Sequence, residues 1–352
     1  MTAMPAARQE ILELKSYKPG AQIGDTIRLN ANEAPWSSDG DGLNRYPEVH
    51  PQRLRRRLAE LFGVSPANLL VTRGSSEAID VLIRAWCRAY RDSLITTPPT
   101  FEMYRVYANI QGVEMIDVPL DTAKNFALDA DAVIEHCRTD TRLIFLCSPN
   151  NPSGTLLAEK DILKIVDSRA GKSVVVVDEA YIEFSDRESL AARVLEFENL
   201  VVLRTLSKAH ALAGARCGAA LGCEPIIGVL GKVLPPYSFP TPVIDTVIAA
   251  LSGSRLEKSL AAVNEVIAER QRVFNELENL DCVTQLWPSQ SNFILARLTE
   301  LAPIRECLLD YGILIRDFDG TPGLENCARI TIGTRHENDA LLAALHKYGS
   351  QA

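Results

Sequence analysis

Apolar residues in the first two thirds of the chain gather in short unbroken runs, and later ones fall at helical spacing. The runs Leu69-Leu70-Val71-Thr72, Leu94-Ile95-Thr96, Leu143-Ile144-Phe145-Leu146-Cys147, Val174-Val175-Val176-Val177 and Leu200-Val201-Val202-Leu203 have the length and β-branched content of strands. Continuous rather than alternating apolar strands are expected where both faces of a sheet are covered, as in a parallel sheet with crossover helices. Helical patterns between the runs, such as Glu77 to Tyr90, supply the crossovers. Pro51 to Phe62 reads as a helix, with Arg53, Arg55, Arg56 and Arg57 as its solvated face.

The pattern then changes. Arg255 to Leu280 predicts one long amphipathic helix, and Ser291 to Ala296 and Ala328 to Ile332 predict strands of a smaller α+β unit. Gly312 to Arg316 is a short apolar strand pattern ending in a cation. The first 40 residues carry Pro5, Pro19, Gly20, Pro35 and Gly40 and predict loops packed near the smaller unit, with Pro5 to Lys18 a candidate lid. The expected fold is α/β. A large domain over residues 45–250 is built on a mostly parallel central sheet, and residues 1–44 together with 251–352 form a smaller α+β domain.

Composition narrows the function classes. Apolar residues make up 47% of the 352 and charged residues 23%, as in soluble globular proteins. A net charge of −8 provides no general basic field, which argues against nucleic acid as a partner. No apolar run is long enough to span a bilayer, and the N-terminus lacks a charged-then-apolar leader, so a cytoplasmic location is expected. The eight cysteines form no C-x-x-C pair and several lie in apolar runs, which suits reduced, buried thiols. The five histidines lack metal-ligand spacing, so no metal is expected.

The candidate chemistry sits where the runs end, since open parallel sheets bind ligands at the carboxyl ends of their strands. Lys208 follows the fifth run within Arg204-Thr205-Leu206-Ser207-Lys208, on a strand-to-helix connection, and Arg216 stands eight positions on. A lysine amine so placed can form a Schiff base with a carbonyl, while Thr205, Ser207 and Arg216 can hold a dianionic phosphate. Together those are the needs of pyridoxal 5′-phosphate (PLP). After the first run, Gly74-Ser75-Ser76 opens a helix whose free N–H groups suit a phosphate; the competing reading is an ordinary cap made by Ser75 or Ser76. Phe101, after the second run, is a stacker for a pyridine ring or a core aromatic. Asn151, in the rigid turn Ser148-Pro149-Asn150-Asn151-Pro152-Ser153-Gly154, can donate to a phenolic oxygen, and Tyr181 can join it. Asp178 ends four valines, an apolar place for a carboxylate that lacks a cationic partner. A protonated pyridine nitrogen would be such a partner and would become a stronger electron sink. No G-x-x-x-x-G-K-[ST] precedes Asp178 and no G-x-G-x-x-G follows a strand, which disfavours nucleotide hydrolysis and dinucleotide binding.

These motifs resemble those of fold-type I PLP-dependent aminotransferases, and more closely the histidinol-phosphate aminotransferase family. The likeness runs from about Tyr17 to the C-terminus. It includes Tyr17-Lys18-Pro19-Gly20, Leu29-Asn30-Ala31-Asn32-Glu33, Asn44-Arg45-Tyr46-Pro47, the Ser-Pro-Asn-Asn-Pro turn, Asp178 to Phe184, Arg204 to Ala209 and Arg329 to Thr334. The resemblance implies transamination of L-histidinol phosphate with 2-oxoglutarate in histidine biosynthesis. It implies a homodimer in which Tyr46 reaches the partner's cofactor phosphate. It implies that Lys208 carries the cofactor and that Arg329, assisted by Tyr17 and Arg316, binds a substrate anion. Relatives often have tyrosine where Phe101 stands, threonine at Ser153, an acidic residue at Ser76 and an apolar residue at His210. An aromatic amino acid aminotransferase and a PLP-dependent amino-acid phosphate decarboxylase are the competing enzymes on the same site. A non-catalytic binding protein of this fold is opposed by the presence of Lys208, Asp178 and Arg216.

Overall fold

Side chains alternate across the central sheet even where the sequence does not. Val175 and Val177 enter one hydrophobic core while Val174 and Val176 enter the other, and Val202 and Leu203 divide in the same way. The sheet is therefore buried on both faces, which is why its strands are written as runs. The computed structural model describes residues 4–15, 17, 26–38, 40 and 42–349. Lys18, Pro19 and Gly20 of the N-terminal motif lie outside them.

The large sheet comprises β1 (Leu69–Thr72), β2 (Ser93–Thr96), β3 (Glu114–Asp117), β4 (Thr141–Cys147), β5 (Val174–Asp178), β6 (Leu200–Thr205) and β7 (Gly218–Gly222), in the order β1-β7-β6-β5-β4-β2-β3. β7 pairs antiparallel with both β1 and β6, and the other pairings are parallel. A second sheet comprises β8 (Val283–Trp287), β9 (Phe293–Leu298), β10 (Arg316–Asp317) and β11 (Cys327–Thr331), in the order β10-β11-β9-β8, all antiparallel. It has its own core, with Ile294, Ala296, Leu298 and Ile330, under the helices Leu301–Asp310 and Arg335–Gly349. Its opposite side, through Trp287, Leu295 and Cys327, joins the core beneath the large sheet.

Four expectations change. The N-terminal segment docks on the large sheet's helical layer rather than near the smaller sheet. Ala7 is buried in that layer, Trp86 Nε1 donates to the Pro5 carbonyl at 3.2 Å, and Arg8 N donates to the Ala85 carbonyl at 3.0 Å. Ala7 anchors the start of the candidate lid Pro5 to Lys18, of which residues 16 and 18 lie outside the described residues. The crossover helix after β1 runs Gly74–Trp86, so Ser75 and Ser76 lie inside its first turn, and its N-cap is Arg73 with no side-chain cap. Glu77 accepts from Arg73 N at 2.7 Å instead, placing a carboxylate at the helix's positive end. Gly312 ends a turn, Ile313 to Ile315 are irregular, and only Arg316–Asp317 pairs as a strand. Lys208 is followed by a turn and the short helix Ala213–Ala215 leading into β7, not by a crossover helix.

Candidate functional site

The sheet's carboxyl end brings most of the proposed residues to one cleft. Ser75, Ser76, Phe101, Asn151, Asp178, Tyr181, Thr205, Ser207, Lys208 and Arg216 all line it, with Cys147, Ala180 and Ala213. They arrive from the ends of β1, β2, β4, β5 and β6 and from the entry to β7.

Asp178 is buried at the floor. Tyr104 Oη donates to its Oδ2 at 3.0 Å and Ala180 N to its Oδ1 at 3.2 Å. Burial pushes its carboxyl up to about 6, a rise that these two donors and the charge of Lys208 only partly oppose. A carboxyl so placed gains from a cationic ligand. Tyr104 is a functional residue that the sequence did not reveal. It stacks on Phe145 with centroids 4.8 Å apart and meets Phe101 edge-on at 5.7 Å, so it braces both the carboxylate and the aromatic wall. Its only signal was a tyrosine three positions after Phe101.

On the other side lies a cradle of hydroxyls and a guanidinium. Thr205 Oγ1 donates to Ser207 Oγ at 3.0 Å and accepts from Ser207 N at 3.2 Å, and Arg216 Nη1 reaches Ser207 Oγ at 3.3 Å. Gly74 has φ +75, and a Cβ there would lie 3.0 Å from Arg216 Nη2. A Cβ on Gly218 would lie 2.6 Å from the Arg204 carbonyl oxygen. Two glycines therefore let the helix start, the guanidinium and β7 converge. A helix N-terminus, two hydroxyls and an arginine make a site for a phosphate.

Lys208 stands between these ends. Its Nζ lies 5.4 Å from the Tyr181 ring centroid. Burial, then the cations Arg329 and Arg216, lower its pKa, while Asp178 acts the other way. The lowering enlarges its neutral fraction, the form able to attack a carbonyl or accept a proton.

Asn151 and Tyr181 join the two sheets. Asn151 Nδ2 donates to Tyr181 Oη at 3.5 Å, and Asn151 Oδ1 accepts from Arg329 Nη1 at 2.5 Å. Arg329 on β11 is directly opposite Arg316 on β10. Like charges facing each other across an antiparallel pair are destabilising, so the arrangement calls for an anion. Burial and then Arg316 lower the Arg329 pKa, against the effect of Tyr181. Both guanidinium carbons lie 5.9 Å from the Phe318 ring centroid.

Tyr46 and Tyr17 are not brought to this cleft. The two rings meet at Tyr237 instead: Tyr46 stacks on it at 4.7 Å, and Tyr17 meets it edge-on at 6.1 Å. Both are exposed, at 50% and 60%. Among the described residues no group of acidic, histidine and cysteine side chains could hold a metal, and no helix is long and apolar enough to cross a membrane. All eight cysteines are free thiols.

A family model, aminotransferase class I and II, matches residues 11–345. The chain is 42% identical over 330 residues to a histidinol-phosphate aminotransferase of Stenotrophomonas maltophilia (strain R551-3), covering 92% of this chain and 91% of that one. It is 39% identical over 351 residues to that of Shigella flexneri serotype 5b (strain 8401), covering 98% of each. Among solved structures, the histidinol-phosphate aminotransferase from Sinorhizobium meliloti in complex with pyridoxal-5′-phosphate is similar in fold. The TM-score is 0.78 at 24% identity, over 89% of this chain and 85% of that one.

Proposed function

The chain belongs to the class I and II aminotransferase family, and on that premise we propose that it is a PLP-dependent enzyme transferring the amino group of L-histidinol phosphate to 2-oxoglutarate. The products are imidazole acetol phosphate and glutamate, and the step belongs to histidine biosynthesis. The observation that carries the reading is that Lys208, the buried Asp178 and the Thr205–Ser207–Arg216 cradle face one cleft. An amine, an anion and a phosphate site fit the carbonyl, the pyridine nitrogen and the phosphate of PLP. The full-length relatives at about 40% identity support the choice of amino donor.

When bound, PLP supplies the reactive carbonyl and the electron-withdrawing ring. The chain supplies placement and proton traffic. Asp178 would pair with the ring nitrogen and keep it protonated, with Tyr104 holding that carboxylate in line. Tyr181 and Asn151 would offer hydrogen bonds to the phenolic oxygen, and Phe101 would cover the ring face. Ser75, Ser76, Thr205, Ser207 and Arg216 would hold the phosphate. Lys208 Nζ would take the proton from the substrate carbon and hand it on to the cofactor rather than back to that carbon, favoured by its lowered pKa. Arg329, with Arg316 opposite it, binds the substrate anion: the phosphate of histidinol phosphate in one half-reaction and a carboxylate of 2-oxoglutarate in the other. Asn151 links this anion site to the ring site through its two hydrogen bonds.

The assembly is read as a homodimer in the cytoplasm, with Tyr46 reaching its partner's phosphate site and Tyr17 assisting at the substrate. The exposure of Tyr46, and of the apolar Ile27, Leu29 and Trp36 earlier in the same N-terminal stretch, supports this. The deciding experiment is a half-reaction without keto-acid, followed by the cofactor's visible absorbance. Rapid conversion with L-histidinol phosphate and slow conversion with L-phenylalanine is expected. The reverse preference would transfer the enzyme to the aromatic amino acid aminotransferases.

A further inference from the structure

Behind the lysine lies a buried group of charged side chains to which the proposed chemistry gives no task. Arg204, at the end of β6, donates through Nη2 to Glu183 Oε1 at 2.7 Å and through Nη1 to Ser189 Oγ at 3.0 Å. The Nη1 atom is also 3.9 Å from Glu179 Oε2. The guanidinium lies 4.7 Å from the Phe62 ring centroid. His210, two residues after the lysine, directs Nε2 at the same Glu183 oxygen from 3.8 Å, with its side chain only 3% exposed. The imidazole Nδ1 and the free Glu183 oxygen have no other partner.

The placement of these residues gives the group its meaning. Lys208 sits near the tip of a loop closed by Leu206 N donating to the Cys217 carbonyl at 2.9 Å and Leu212 N donating to the Leu206 carbonyl at 3.0 Å. One position before it, Ser207 is tied to Thr205 and Arg216. Two positions after it, His210 faces Glu183, on the turn Ile182–Phe184 that directly follows Asp178 and Tyr181. We propose that His210 is a positioning residue for Lys208. Through Glu183 it fixes the lysine loop against the loop carrying Asp178 and Tyr181, and it does so more firmly when the imidazole is protonated.

Burial is the main cause that lowers the imidazole's pKa; of the charged groups acting on it, Glu183 favours its proton and Arg204 opposes it. The long helix Gly253–Leu277 contributes neutral contacts to the same loop, with Ser259 Oγ donating to the Ala209 carbonyl at 2.9 Å and Val263 packing beside Ala209. At 3.8 Å a neutral imidazole makes no hydrogen bond to Glu183, and a protonated one adds a full charge to the pair.

The inference rests on Lys208 being the catalytic amine, and its test reads the enzyme in two ways. In the holoenzyme, kcat and KM are measured from pH 5.5 to 8.5 for His210→Phe and His210→Gln. For His210→Phe the loss in kcat is expected to deepen towards acid, reaching on the order of tenfold, with KM within about twofold of wild type. His210→Gln keeps a donor to Glu183 and should show a small loss that does not vary with pH. Glu183→Gln should abolish the pH dependence, and it decides the matter if His210→Phe fails to fold. Independently, hydrogen exchange of the 206–212 peptide in the cofactor-free protein should be faster in His210→Phe than in wild type. A pH-independent ratio of His210→Phe to wild type, or unchanged exchange, would overturn the proposal. A wrong amino donor would instead show as absent turnover in wild type, leaving the exchange result standing.

Discussion

Asp178→Asn tests the site's electrostatics most directly, because it removes a charge while nearly preserving shape. Burial holds the carboxyl's pKa at about 6 against an ordinary 3.8. Two pH units at about 1.4 kcal/mol each make the ionised form about 3 kcal/mol worse off in the empty fold than in the unfolded chain. The sign follows from proton binding. Between 3.8 and about 6 the folded protein holds a proton that the unfolded chain releases, so stability falls as pH rises through that window, and the penalty persists above it. Asn avoids the penalty. It keeps an acceptor for Ala180 N, and the Tyr104 hydroxyl can turn to accept from the amide. For the cofactor-free protein the variant should match wild type below pH 4 and exceed it by about 2–3 kcal/mol above pH 6. At about 2.1 cal/mol/K per residue, 3 kcal/mol is about 4 °C in Tm for 352 residues. Thermal or urea unfolding at pH 4, 5, 6 and 8 reads the difference directly. Other groups drop out of it, including Glu179, which burial pushes up to about 7, and Asp92, which burial opposes but Arg88 and Arg142 hold at about 2. The same variant should bind PLP more weakly and lose most turnover. Equal stability at pH 4 and pH 8, with cofactor affinity unchanged, would refute the idea that this carboxylate waits for a cation.

Four further outcomes are expected. Lys208→Ala should keep the circular dichroism of wild type but lose the cofactor's visible band, and turnover should fall by at least about 10²-fold. Arg329→Ala removes a charged hydrogen bond worth about 1.5–3 kcal/mol, so kcat/KM for the half-reaction should drop by roughly 10–150-fold, and inorganic phosphate should cease to compete. Gly74→Ala places a Cβ against Arg216 at a positive φ. It should cost about 1–2 kcal/mol in thermal unfolding and weaken PLP binding in equilibrium titration. Mixing Tyr46→Ala subunits with Lys208→Ala subunits should restore activity to about a quarter of the wild-type sites, since a mixed dimer regains one complete site. No recovery on mixing would refute the shared site.

The chain announced its central strands because a sheet covered on both faces demands apolar residues at every position. For the same reason the edge strand β3, Glu114-Met115-Ile116-Asp117, went unread, since it is exposed at both ends and borders solvent. β7 was missed for a different cause. Gly218-Ala219-Ala220-Leu221-Gly222 is fully buried but rich in small residues, and at Gly218 a Cβ would strike the Arg204 carbonyl. The site's strand-end residues were legible because local spacing places them. The contacts that complete the site were not. Tyr104 meets Asp178 across 74 positions and Arg329 meets Asn151 across 178, distances at which only the fold decides neighbours.

The reversal of β7 has an effect on how the site can change. A strand running against its neighbours begins where they end, so Arg216 at its entry and Lys208 beyond β6 share one end of the sheet and one short peptide. On the proposed roles, the grip for the ligand's reactive head and the grip for its anionic tail are links of a single covalent segment. An insertion anywhere between positions 208 and 216 would alter the span between head and tail at once, so this stretch should tolerate length changes far less than its surface position suggests. On the proposed roles, chain length here would act as a ruler that rejects ligands of a different span.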